Sequence, residues 1–325
     1  MSTPPVVPEP VAMHPHRQPT SYPLMLRTWT YAPWRPLVGL LLLLVGALAF
    51  LPLVLVPVLA IGIKIQGGDF STELTKALDQ TKLTPASMLY LNLTLAGMVL
   101  VTWALMRWVH RMRPRWLMSV RPGIRWRFFG ICLGLSVVAI IAQLIVGSLL
   151  PADANDLTGH LHHPTWQTLA FAIVILLTTP LQAMGEEYAF RGYAMQAFGS
   201  LTRSPWFAIL LSAVLFTAAH GKQNFPLYAD RFAFGLLAGY LVLRTGGLEA
   251  GIALHVWNNL VAFGFGLAFG DIQQQLTATS ASWWNLPLTV TQNGVYLILV
   301  LLVAKRMGLD NRTRPPVLVE QSTPV

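Results

Sequence analysis

Charged residues are scarce in this chain. Only 11% of its 325 residues are Asp, Glu, Lys or Arg, while 54% are hydrophobic. A soluble domain carries about 25% charged residues, and a stretch of about 20 apolar residues is long enough to cross the hydrocarbon core of a bilayer. The length alone would permit two soluble domains, but the low charge and the long apolar runs exclude them.

Acidic residues and cysteine are also scarce. The chain has 13 acidic and 22 basic residues, which gives a net charge of +9. The basic residues lie in short segments between apolar runs, a pattern that is typical of membrane topology, and we therefore expect no nucleic-acid partner. The single cysteine, Cys132, lies inside an apolar run and has no second cysteine with which to form an internal disulfide.

The apolar runs predict an all-α fold, a polytopic transmembrane helical bundle of about eight spans that occupies residues 37–304. The first 30 residues are rich in proline and polar side chains and are predicted to be a disordered tail. A second tail covers residues 305–325. The eight predicted spans are 37–63, 86–106, 128–150, 166–198, 205–220, 228–243, 248–269 and 286–304.

The distribution of basic residues predicts the orientation of the chain. Seven arginines lie in the segment 107–127, and the C-terminal tail adds more. If both tails are cytoplasmic, sixteen of the 22 basic residues lie on the cytoplasmic side, as expected for a multi-pass protein. Arginines outnumber lysines by 17 to 5, which suggests a GC-rich bacterial source and hence the bacterial inner membrane.

The segment 107–127 also contains the aromatic residues Trp108, Trp116 and Trp126. Arginine mixed with tryptophan suits an interfacial helix on anionic lipid headgroups, so membrane lipids are expected partners. The alternative is an anchor that only sets topology by its positive charge. The sequence does not distinguish these two interpretations, and it does not indicate an oligomeric state.

Several polar side chains lie within or at the end of the late apolar runs. Each ionisable group there costs at least ~2.5 kcal/mol on insertion scales, so a functional or structural reason is required. These residues are Glu186, Glu187, Arg191, His220, His255 and Asn259.

The two adjacent glutamates differ in their helical neighbours. Residues four apart face each other on a helix, so Glu187 is predicted to pair with Arg191. Glu186 has Phe190 at that position and lacks a local basic partner. Its carboxylate is therefore a candidate for chemistry. The alternative is a buried ion-pair network that only fixes helix packing.

His220 and His255 could each have either a structural or a catalytic role. His220 ends an apolar run and could simply hydrogen-bond to a neighbouring carbonyl. His255 and Asn259 are four residues apart and share one helix face. Two donors on one face could cradle a developing oxyanion, or they could form hydrogen bonds between helices.

Three motifs occur in order: Glu-Glu-xxx-Arg at residues 186–191, Phe-xxx-His at 216–220 and His-xxx-Asn at 255–259. Together they resemble the CAAX prenyl endopeptidase and bacteriocin-processing family of intramembrane glutamic proteases. The resemblance runs from about Leu181 to Leu260, roughly a quarter of the chain. It implies an intramembrane endopeptidase whose protease core occupies about residues 166–269.

The resemblance also implies roles for the polar residues. Glu186 would be the general base on water, assisted by His220, while His255 and Asn259 would hold the oxyanion. Glu187 belongs to the same catalytic set and is supported by Arg191. The expected substrate is a membrane-associated or lipid-tethered peptide, and the sequence does not indicate whether it is prenylated.

Three other functions are compatible with these residues. A zinc protease could use His220, His255 and a glutamate, but a His-Glu-xx-His helix motif is absent, so no metal or other cofactor is expected. A scaffold or immunity-type protein could keep the site without turnover. A proton-coupled transporter also places Glu, His and Arg in its spans, although the three ordered motifs argue against it.

Overall fold

The computed structural model describes residues 15–67, 69–78, 83–151, 161, 163, 165–269 and 272–314. Within these ranges the chain consists of α-helices, short 3₁₀ and π segments and connecting turns, with no named strand. The predicted all-α class is therefore confirmed.

The helices are numbered here in chain order, and α-helical segments joined by a π-helical or single-residue turn are counted as one helix. They are α1 (Trp34–Gln66), α2 (Phe70–Leu78), α3 (Pro85–Val109), α4 (Trp126–Ser148), α5 (Trp166–Thr202), α6 (Pro205–Ala219), α7 (Phe225–Thr245), α8 (Glu249–Phe269), α9 (Ile272–Leu276) and α10 (Asn285–Arg306). Single 3₁₀ turns lie at Tyr22–Leu24 and Pro114–Leu117.

Six of these helices, α1, α3, α4, α5, α8 and α10, are long and apolar enough to cross a membrane, so the chain is a multi-pass membrane protein. The expected count of about eight was slightly too high. The two remaining predicted spans correspond to α6 and α7. Helix α6 has 15 residues and a length of about 22 Å, which is less than the ~30 Å hydrocarbon core. Helix α7 has 21 residues but includes Asp230, Arg231 and Arg244.

Helix α5 has a central position in the bundle. It packs against α3 on one side and α8 on the other, and α8 also packs against α4. Helix α10 lies against both α4 and α7, helix α7 packs on α6, and α1 packs on α3. The three predicted motifs therefore lie on the neighbouring helices α5, α6 and α8.

A glycine allows the close contact between α3 and α5. A Cβ atom on Gly185 would lie 2.0 Å from the carbonyl oxygen of Leu95. About two helical turns earlier in α5, the hydroxyls of Thr178 and Thr179 accept hydrogen bonds from the buried Asn92 amide at 2.8 and 3.2 Å. Because Gly185 directly precedes Glu186, this contact sets the depth and rotation of the glutamate pair.

The close contact predicts the effect of adding one methyl group. Gly185→Ala is expected to destabilise the protein by ~1–3 kcal/mol, because the added Cβ meets rigid backbone rather than a flexible side chain. Gly264→Ala is the matched control, since nothing lies within 4 Å of its added Cβ. Thermal melting in one detergent checks both variants. Equal melting temperatures for the two would contradict this account of the α3–α5 contact.

Part of the predicted N-terminal tail belongs to the fold. Residues 1–14 lie outside the described ranges, but within 15–30 the side chains of Tyr22 and Met25 are fully buried. The Tyr22 hydroxyl donates a hydrogen bond to the carbonyl of Leu117, and a ring nitrogen of His16 lies 2.6 Å from the carbonyl oxygen of Met25. The expectation of disorder was wrong for residues 15–30, because these apolar side chains pack in one cluster with Trp116 and Leu117.

The described part of the C-terminal tail lies at the same end of the bundle. The backbone of Thr313 bonds to that of Thr20 at 2.9 Å. The carboxylate of Asp310 accepts hydrogen bonds from Arg121 (2.5 Å) and Arg314 (3.1 Å). Partial burial would raise the pKa of Asp310, but these two arginines outweigh it and lower the pKa. Residues 315–325 lie outside the described ranges.

The segment 107–127 is not the continuous interfacial helix that its composition suggested. It contains the end of α3, the 3₁₀ turn at Pro114–Leu117 and the beginning of α4. Arg111 adopts a left-handed conformation with φ of 57° and separates α3 from this turn. Burial, together with the nearby charge of Arg35, lowers the pKa of His110 to about 4, so this histidine is neutral at pH 7.

Candidate functional site

The glutamate pair lies at the end of the regular part of α5. A π-helical turn follows at Tyr188–Ala194, and such turns are frequent at functional sites. Within it, a guanidinium nitrogen of Arg191 lies 3.0 Å from Oε1 of Glu187, and both side chains are 0% exposed. This is the pair that the spacing of four residues predicts.

Two aromatic rings also hold Arg191. Its guanidinium carbon lies 3.9 Å from the ring centre of Phe216 on α6 and 5.0 Å from that of Phe234 on α7. Its nitrogens make no hydrogen bond of good geometry with any described residue. The charge is therefore stabilised by the Glu187 carboxylate and by cation–π contacts in a site closed to solvent.

His255 of α8 lies between the two glutamates. Its Nδ1 is 2.9 Å from Oε1 of Glu187, and its Nε2 is 3.4 Å from Oε2 of Glu186. Glu186 lacks a basic partner in its own helix, and the tertiary structure supplies one from a neighbouring helix. A ring that faces two carboxylates can share a proton with either of them.

Gln182 connects Glu186 to the third motif. The Gln182 amide donates a hydrogen bond to Oε1 of Glu186 (2.7 Å), and the Asn259 amide donates one to Oε1 of Gln182 (2.8 Å). Gln182 was not among the residues predicted from the sequence. Its signal was a polar residue in an apolar run, four residues before Glu186 and hence on the same helix face.

His220 directly follows α6 and has a defined ring orientation. Its Nδ1 donates to the carbonyl of Phe216 at 2.8 Å, which leaves Nε2 as the acceptor of the neutral ring. The simple hydrogen bond to a neighbouring carbonyl that the sequence suggested is thus present, but it uses only one of the two ring nitrogens of His220. The Phe216 ring also lies 4.6 Å from the His220 ring and 6.0 Å from the His255 ring, so one aromatic side chain contacts both histidines.

The two glutamates differ in exposure. The Glu186 side chain is 12% exposed, whereas that of Glu187 is 0% exposed. Helix α8 approaches Glu187 closely because residue 251 is glycine, where a Cβ atom would lie 2.8 Å from Oε2 of Glu187. Glu186 is therefore the carboxylate that a substrate or a water molecule can reach, and Glu187 is enclosed by protein.

All six predicted site residues lie within one connected arrangement on α5, α6 and α8. Asn259 and His255 share a face of α8, as predicted, but each already contacts a group on α5. Across the ranges that the structure describes, no three His, Cys, Asp or Glu side chains are grouped so that they could hold a metal ion. The donor set thus suits proton transfer, because acids, bases and amide donors alternate within hydrogen-bond distance.

Comparison with known proteins finds a family match in this part of the chain. A family model described as type II CAAX prenyl endopeptidase Rce1-like matches residues 165–261. Uncharacterized protein YyaK of Bacillus subtilis (strain 168) is 24% identical over 215 residues, which cover 63% of this chain and 71% of that protein. An uncharacterized 24.3 kDa protein of Escherichia coli is 29% identical over 151 residues, 46% of this chain and 64% of that protein. No solved structure matches the chain.

Proposed function

We propose that this chain, whose residues 165–261 belong to the Rce1-like family of type II CAAX prenyl endopeptidases, is an intramembrane endopeptidase that uses water activated by Glu186. The observation that carries the proposal is the asymmetry of the glutamate pair. Glu187 is enclosed and neutralised by Arg191, while Glu186 is partly exposed and held by Gln182 and His255. One carboxylate supports the site and the other is available for chemistry.

The proposed reaction is the hydrolysis of an amide bond. Glu186 takes a proton from water, and the resulting hydroxide attacks the scissile carbonyl carbon to form a tetrahedral oxyanion. Collapse of this intermediate breaks the C–N bond, and the proton returns to the leaving amine. The free Nε2 of His220 provides a second acceptor that can orient the attacking water.

Stabilisation of the oxyanion is assigned to α8. Asn259 uses one amide hydrogen for Gln182, and its second amide hydrogen remains for a substrate oxygen. His255 directs Nδ1 to Glu187, so only Nε2 faces the reacting centre, and it can donate to the oxyanion when the ring is protonated. Removal of a donor of this kind typically lowers turnover by ~10²–10³-fold, because the donor acts in a site of low dielectric constant.

The proposed substrate is a membrane-associated or lipid-tethered peptide. The site lies among helices that cross the membrane, so a scissile bond reaches it most easily from a chain that is already held at the bilayer. Gly221 and Lys222, which follow His220 directly, form an exposed turn through which water can approach.

Comparative peptidomics of the host membrane tests this function. Cells that carry Glu186→Ala are expected to accumulate uncleaved membrane peptides that disappear when the wild-type chain is restored. Asp69→Asn, a change at an exposed residue outside residues 165–261, is the control and should leave the peptide pattern unchanged. A peptide pattern that is identical for Glu186→Ala and wild type would instead support a scaffold that binds without turnover.

A chelator experiment on the purified protein distinguishes a zinc-dependent mechanism from a glutamate-dependent one. With the accumulated peptide as substrate, the purified protein is expected to keep its turnover in an excess of strong chelator. Activity that is lost in chelator and restored by zinc alone would favour His220, His255 and a glutamate as metal ligands. A transporter would show neither peptide accumulation nor cleavage.

The proposed orientation places both termini in the cytoplasm of a bacterial cell. The described parts of both terminal segments lie at one end of the bundle, together with the arginine-rich segment 107–127. A cytoplasmic reporter fused after Pro315 is expected to be active, and the same reporter inserted in the turn at Lys222 is expected to be inactive. The reverse pattern would invert the topology.

A further inference from the structure

A small cleft lies at the end of the bundle that contains the terminal segments, outside residues 165–261. It has a volume of about 80 Å³ and is formed where the N-terminal segment meets the turn after α3. Such a volume holds several water molecules and so admits a phosphate group. Its main lining residues are Thr28, Trp29, Thr30, Arg111, Met112 and Arg113.

The backbone around the cleft holds its two arginines in place. Thr30 donates a hydrogen bond from its hydroxyl to the carbonyl of His110 (3.0 Å), which ties the two sides of the cleft together. The next residue, Arg111, has φ of 57°, a conformation that disfavours side chains other than glycine. The Met112 amide then bonds back to the carbonyl of Met106 at 2.8 Å. Arg111 and Arg113 thereby both line the cleft.

The charge of the cleft is uncompensated. Arg111 and Arg113 are exposed and make no ion pair with any residue that the structure describes, and none of the residues lining the cleft is acidic. Neighbouring arginines differ, since Arg121 pairs with Asp310 and Arg125 makes a bidentate pair with Glu249. An anion is therefore the ligand that fits, and two guanidinium groups suit a phosphate in particular.

The exposed tryptophans indicate the depth of the cleft relative to the membrane. Trp34 is the first residue of α1, Trp126 is the first of α4 and Trp108 is the last but one of α3. They are 56%, 69% and 77% exposed. Tryptophan concentrates at the membrane–water interface, so these residues mark that plane. Residues 28–30 lie shortly before Trp34 and residues 111–113 shortly after Trp108, at the level of lipid headgroups.

We propose that the cleft binds the headgroup phosphate of an anionic phospholipid, with Arg111 and Arg113 as its ligands. Trp29, which is 64% exposed, flanks the phosphate and contacts the upper part of the lipid. The site thus fastens the N-terminal segment, the turn after α3 and the bilayer surface to one another. A zwitterionic lipid fits less well because its own cation faces two arginines.

Thermal melting with added lipid tests the proposal on the full chain in neutral detergent. Phosphatidylglycerol is expected to raise the melting temperature of the wild type with saturation, whereas phosphatidylcholine and inorganic phosphate are not. Arg111→Gly removes one guanidinium and suits the left-handed backbone, so the fold should persist. It should raise the half-saturating lipid concentration about fivefold, and the double variant with Arg113→Gln about 25-fold.

Arg203→Gly is the matched control. Arg203 is exposed, lies at the same end of the bundle and has φ of 59°, so this change removes the same charge and relieves the same backbone strain. Its half-saturating concentration should equal that of the wild type. A shift for Arg203→Gly equal to that for Arg111→Gly would reduce the effect to general charge attraction and overturn the site. Stabilisation by inorganic phosphate alone would show a site for a free anion rather than a lipid.

Discussion

Glu186→Gln is expected to lower turnover by ~10²–10⁴-fold while the melting temperature stays close to that of the wild type. The change removes the proton acceptor with little change in volume. The amide oxygen of glutamine can still accept the hydrogen bond from Gln182, and its amide nitrogen faces the Nε2 of His255. Folding should therefore persist, because both existing contacts of Glu186 have a neutral substitute.

The measurement is turnover of the accumulated peptide and thermal melting in the same detergent. Glu186→Asp keeps a carboxylate but draws it back from His255, so it should retain more activity than Glu186→Gln. If both variants kept full turnover, Glu186 would not be the general base. If Glu186→Gln melted early, its main role would be structural.

Glu187→Gln is expected to act chiefly on stability. It leaves Arg191 as an unpaired charge in a site where both side chains are 0% exposed. Breaking one side of a buried ion pair costs ~3–5 kcal/mol, which is a large part of the total stability of a typical protein. The contacts of Arg191 with Phe216 and Phe234 compensate only partly. Expression and melting temperature should therefore fall, and turnover should fall only as a consequence of the lost stability.

A second substitution separates stability from chemistry. Glu187→Gln combined with Arg191→Met removes both charges and places a thioether over the Phe216 ring, so part of the lost stability should return. Asp310→Asn is the control for an exposed pair, because Arg121 is 51% and Asp310 27% exposed, and its effect should stay within ~1 kcal/mol. If Glu187→Gln stayed folded but inert while Glu186→Gln melted early, the two roles would be reversed.

The residues on which these predictions depend are indicated by the sequence to different degrees. The pairing of Glu187 with Arg191 required only the period of a helix, and three motifs in order indicated the family that residues 165–261 match. Gln182 obeys the same helical period as the pair. It was missed because a lone glutamine lacks a charge that would single it out in an apolar run.

The span count and the N-terminal segment show the limits of composition. Residues 205–220 are apolar enough for a span, but the helix formed there ends after 15 residues. The region 15–30 is rich in proline, yet it buries Tyr22 and Met25. In both cases the outcome depends on contacts with distant parts of the chain, which a local average of hydropathy does not contain.

The sequence by itself determined the membrane class, the all-α fold, the charge asymmetry between the two ends and the local pair in α5, because each follows from composition or from contacts one helical turn apart. Only the tertiary structure decided that His255 lies between the two glutamates and that Gln182 links Glu186 to Asn259. Those contacts require α3, α5 and α8 to approach closely, which Gly185 and Gly251 permit. The rotation and depth of packed helices result from many side chains acting together, and no single stretch of sequence specifies them.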